Sequence, residues 1–121
     1  MKSRFLVIAL CFAISLLLVA VESKPVQAND IYACTNGNVE FYVMEETIMT
    51  GAPGKIICQF SCQTKMVKNG KTYRTPLWCY RQKNGEWFYN TYYDGVSKVG
   101  ERPLSTNWVA ESIFNVLIRY I

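Results

Sequence analysis

The chain has 121 residues, half of them hydrophobic and 18% charged, with 13 Lys and Arg against nine Asp and Glu and no histidine. That length holds one small core, and the lack of histidine excludes Ser–His–Asp triads, Cys–His dyads and most zinc sites. The formal charge of +4 is too slight a surplus to point to nucleic acid.

The chain opens on Lys2 and Arg4, then runs uncharged and almost wholly apolar over residues 5–21. Val26-Gln27-Ala28 supplies small residues for cleavage. A basic start, an apolar core and a small-residue site make up the export pattern, so residues 1–28 read as a signal peptide cut after Ala28. The apolar run is a little short for a spanning helix, and no second run of that length follows, so no membrane span is expected after cleavage. The remaining single domain, 29–121, holds ten basic and eight acidic residues and a charge of only +2. Its expected location is the periplasm or the secreted fraction.

Five cysteines become four once Cys11 leaves with the leader: Cys34, Cys58, Cys62 and Cys79. Four in a short exported chain read as two disulfides with three possible connectivities. Cys58 and Cys62 are poor partners, because four residues along a strand put them about 13 Å apart. Each is expected to pair outward, one with Cys34 and the other with Cys79.

Two short strand-like runs, 31–34 and 39–44, are joined at Thr35-Asn36-Gly37-Asn38, which is strong turn chemistry. Gly51-Ala52-Pro53-Gly54 is a loop, and 55–68 is rich in strand formers. Two Asn-Gly pairs then mark type I′ hairpins. Asn69-Gly70 would join 66–68 to 71–73, and Asn84-Gly85 would join 78–83 to 86–91. Pro76 sits between the hairpins, where a ladder donor can be missing, and Asp94-Gly95 makes a further turn. From Trp108 the period changes. Glu111, Ser112, Asn115 and Arg119 share one helical face, with Val109, Ile113, Val116, Leu117 and Tyr120 on the other. A terminal helix is expected, capped by Ser105 or Thr106. The fold class is α+β, mostly β: a small antiparallel meander of five to seven strands with a C-terminal helix and two disulfides.

Catalytic chemistry is hard to find. Glu45 and Glu46 are adjacent and would point to opposite faces of a strand, and the other carboxylates are scattered without a readable partner. No phosphate-binding glycine loop occurs, and no metal or cofactor site is expected. Two features rise above background. In the second hairpin Trp78, Tyr80, Trp87 and Tyr89 share one face, while Phe88 and Tyr92 share the other with Cys79. Exposed aromatics beside polar groups suit carbohydrate stacking or a protein interface. Between residues 65 and 83 lie six cations, Lys65, Lys68, Lys71, Arg74, Arg81 and Lys83, and no acid. Lys68 and Lys71 flank the first turn, so like charges face each other. That pattern fits either an anionic partner or edge-strand protection by lysine. The contact surface is therefore placed on Trp78, Tyr80, Trp87, Tyr89, Lys68, Lys71 and Arg74.

The stretch Cys58-Gln59-Phe60-Ser61-Cys62, Asn69-Gly70-Lys71 and Cys79-Tyr80-Arg81-Gln82-Lys83-Asn84-Gly85-Glu86-Trp87 resembles the C-terminal domain of the rickettsial-type seventeen-kilodalton bacterial surface antigens. The resemblance implies a bacterial envelope setting and a Cys58–Cys79 bridge. The chain lacks that family's lipoprotein cysteine and glycine-zipper segment and has the additional Cys62. Tyr32-Ala33-Cys34-Thr35-Asn36-Gly37 also looks like the opening strand of the C-type lysozyme-inhibitor barrel, without that family's Ser-Gly loop. The expected function is an exported, non-enzymatic binding module for a protein or an anionic envelope glycan. The competing expectation is an inhibitor of a lysozyme-like enzyme.

Overall fold

The computed structural model describes residues 26–121. The expected leader, Cys11 included, lies outside the described residues except for its last three. Among the described residues no helix is long and apolar enough to cross a membrane.

The fold is an antiparallel, curled β-sheet closed on one side by a C-terminal helix. Among the described residues six strands have four residues or more: β1 (Asp30–Asn36), β2 (Val39–Met44), β4 (Phe60–Lys68), β5 (Lys71–Arg74), β6 (Leu77–Lys83) and β7 (Glu86–Tyr93). Three two-residue pieces complete the set: β3 (Met49–Thr50), β8 (Val96–Ser97) and β9 (Arg102–Pro103). The main path runs β1-β2-β4-β6-β7-β8, and every pairing is antiparallel. Strand β4 is the hub. Its C-terminal half pairs with β2 on one side and β5 on the other, and its N-terminal half pairs with β3 and β6.

Turn chemistry sets these registers. Asn69, Asn84 and Asp94 all take positive φ, each followed by a positive-φ glycine. These are type I′ turns, whose twist matches that of the flanking strands. Lys68 therefore faces Lys71, and Lys83 faces Glu86. Residues 55–59, despite their strand-forming composition, stay out of the ladder behind Gly51 and Gly54, both at positive φ. The strand begins only at Phe60.

The helix α1 (Trp108–Leu117) buries Val109, Ala110, Ile113, Val116 and Leu117. Its N-cap is Asn107 rather than Ser105 or Thr106, which lie in a 3₁₀ turn (Leu104–Thr106) ahead of it. The Asn107 carboxamide oxygen accepts from the amides of Val109 and Ala110 at 3.0 and 3.2 Å. Tyr120, expected on the apolar face, belongs to a closing 3₁₀ turn and is exposed.

The core lies between α1 and one face of the sheet, where Phe41, Val43, Cys62, Trp78 and Tyr80 meet the buried helix residues. Tyr80 is fully buried, and its hydroxyl donates to the carbonyl of Ala110 at 2.9 Å. Phe114 closes over it, with ring centroids 5.2 Å apart.

The expectation of two disulfides is corrected. Cys34, Cys58, Cys62 and Cys79 are all free thiols. Topology explains most of this. Cys62 faces Trp78 on the helix side, whereas Cys79 lies opposite Ser61 on the other side of the sheet, and side chains on opposite faces cannot bridge. Cys34 is on β1, separated from β4 by β2, with its thiol against Ser112 of the helix. Cys58 lies beside Cys79 without a bond between them, and its thiol donates to the carbonyls of Gly51 and Phe60.

Candidate functional site

The sheet sorts the expected contact residues into two groups. The pleat does place Trp78, Tyr80, Trp87 and Tyr89 on one face, but that face is the one α1 covers. Trp78 and Tyr80 are buried. Tyr89 stacks on Trp78 at 6.1 Å, and Trp87 packs between Phe60 and Phe114 at 5.6 and 4.9 Å. Burial corrects the view of Trp78 and Tyr80 as contact residues, since both are core, while Trp87 and Tyr89 are half-buried at the core edge. What the sequence pattern could not show was which of the two aromatic faces the terminal helix would occupy.

The six cations of the basic run also separate. Lys65 is buried, and its ammonium pairs with the buried Asp30 carboxylate at 2.7 Å. Arg81 and Lys83 share Glu101, the arginine through Nε and Nη2 and the lysine at 2.6 Å. Glu101, read from the sequence as having no partner, is thus the hub of a three-residue charge network. Hydrogen bonds from Arg81 are the main reason its carboxyl is held down at about 2, with Lys83 adding to the effect.

Lys68, Lys71 and Arg74 remain. All three are exposed on the β4–β5 hairpin, and no ion pair found among the described residues involves any of them. The hairpin is an edge, since β5 pairs only with β4. Arg74 lies over the ring of Tyr93 at 5.2 Å, and Lys98 reaches the same ring at 5.8 Å. Tyr73, Tyr93 and Lys98 are therefore parts of this basic surface that sequence reasoning missed. Lys98 sits 24 positions beyond Arg74, and only the Asp94-Gly95 turn brings it back.

A larger groove of about 930 Å³ opens on the opposite side of the sheet from α1, between the 53–57 loop and Leu77, Arg81 and Tyr92. Several of its polar groups are already hydrogen-bonded. Gln63 Nε2 donates to the Thr75 carbonyl at 3.0 Å, Asn90 Nδ2 donates to the Tyr92 hydroxyl at 3.1 Å, and Ser97 Oγ donates to Asn90 Oδ1 at 2.6 Å. Glu101 is held by Arg81 and Lys83, while Lys55, which also lines the groove, enters no ion pair found among the described residues. The thiols offer no activated nucleophile. Burial raises Cys34, Cys58 and Cys79, and lifts Cys62 to about 12; a nucleophilic thiol needs the opposite shift.

No family model, curated protein or solved structure matches the chain. The site therefore rests on its own chemistry.

Proposed function

We propose that this chain is an exported, non-enzymatic binding module that holds an anionic envelope glycan on its basic β4–β5 hairpin. One observation carries the reading: Lys68 and Lys71 are paired directly across the Asn69-Gly70 turn, both exposed, with no carboxylate among the described residues ion-paired to either. Like charges directly opposite each other are unfavourable. A polyanion laid along the hairpin turns that repulsion into attraction, and Arg74 and Lys98 extend the positive strip beyond the turn. The export pattern of residues 1–28 supports an envelope or extracellular setting.

Surface charges of this kind act through summed potential, and salt weakens them. The test is the double substitution Lys68→Glu with Lys71→Glu, assayed on immobilised lipopolysaccharide and lipoteichoic acid with neutral dextran as control. The expected result is binding to at least one acidic polymer, weakened about tenfold or more by the double change, with an unaltered thermal midpoint. Equal binding of wild type and variant, or equal binding to dextran, refutes the reading.

A further inference from the structure

Beside the hairpin is a cleft of about 260 Å³, formed where the end of β5, the end of β7 and the segment after β8 converge. Resting on the hairpin reading above, we infer that this cleft is a subsite for one sugar acid of the glycan, binding its carboxylate between Arg74 and Lys98 and its ring against Tyr73.

The backbone explains how these side chains meet. Neighbouring residues of a regular strand point to opposite faces, so Tyr73 and Arg74 would not ordinarily line one cleft. Here Val67 pairs with Thr72 but Met66 pairs with Arg74, which leaves Tyr73 as the extra residue of a β-bulge. Bulges re-aim side chains in this way, and Tyr73 and Arg74 both line the cleft. Tyr73 keeps 48% of its surface exposed, so its ring is open to stack on a pyranose.

The walls are held in place. The Thr75 carbonyl accepts from Gln63, and the carbonyl of the buried Pro76 accepts from the Thr64 amide at 3.0 Å. Tyr93 reaches back to Met66, its hydroxyl 4.0 Å from the sulfur. Two cations are thus gathered around the Tyr93 ring.

Charge narrows the ligand class. Asp94 also lines the cleft, so Arg74, Lys98 and Asp94 together give a net charge of +1. That balance suits a monoanion better than a dianionic phosphate. A planar guanidinium matches a carboxylate through two parallel N–H···O bonds.

Calorimetric titration with glucuronate, glucose and acetate tests the subsite. Glucuronate is expected to bind, acetate several-fold more weakly and glucose not measurably. Arg74→Gln and Lys98→Gln should each weaken glucuronate about five- to tenfold. Tyr73→Ala should weaken glucuronate and leave acetate unchanged. The Lys68→Glu, Lys71→Glu pair should weaken both small acids by a common factor, because it acts on them through long-range charge alone. Acetate binding as tightly as glucuronate, or a silent Tyr73→Ala, overturns the sugar-acid assignment. Absence of glucuronate binding while the hairpin still binds polymer overturns the cleft alone and leaves the hairpin reading standing.

Discussion

Glu101 accepts from Arg81 and Lys83 at once, and that arrangement has a pH signature. Its carboxyl falls from an ordinary 4.5 to about 2, chiefly through the Arg81 hydrogen bonds. A depressed carboxylate favours the folded state fully above its unfolded value, and the contribution disappears as pH falls through the folded value. Wild type should therefore exceed Glu101→Gln in thermal midpoint by a constant margin above about pH 5. That margin should shrink between about 4.5 and 2 and close below it; a margin independent of pH would refute the assignment. Residue by residue, the basic run was legible in the sequence as a count but not as a surface. Lys65 pairs with Asp30, 35 positions away, and Arg81 with Glu101, 20 positions away. Nothing local in the chain signals either contact.

At the scale of elements, what was legible was whatever local chemistry determines. The Asn-Gly pairs predicted both hairpins because a type I′ turn needs two positive-φ residues in succession, and strand alternation then gave the correct partition of aromatics between faces. The Tyr73 bulge was not legible, since it depends on how β5 meets β4 beyond the turn. The helix cap was displaced because Ser105 and Thr106 are consumed by a 3₁₀ turn, leaving Asn107 to meet the first free amides. Asn107 also donates from Nδ2 to the Tyr89 hydroxyl at 3.0 Å, fastening the helix start to β7. Asn107→Ala should lower stability by about 1–2 kcal/mol, a lost cap together with a lost hydrogen bond, in chemical denaturation with an unchanged m-value.

The aromatic face gives a prediction opposite to the one its sequence suggests. Trp87→Ala removes contacts to Phe60 and Phe114 at the core edge and should cost about 2–3 kcal/mol, less than the ~3–5 of a fully buried aromatic. Under conditions where the variant remains folded, its affinity for acidic polymer should match wild type. A stable Trp87→Ala variant that loses binding would return the aromatic face to the contact surface.

On the scale of the whole molecule, one long strand organises two functions of the sheet. The N-terminal half of β4 carries the β6–β7 hairpin under α1 and builds the core. Its C-terminal half carries the Asn69-Gly70 hairpin away from that core, with a free edge and exposed cations. The mostly β fold with a terminal helix was readable from the periodicities, whereas this division was not, because it follows from β4 pairing with different partners along its two halves. The most direct test of the division is amide and side-chain NMR during titration with an acidic envelope polymer. Shifts are expected at residues 68–75 and 93–98, with Trp78, Tyr80 and α1 unmoved. Shifts centred on α1 or on the 53–57 loop, with the hairpin silent, would contradict it.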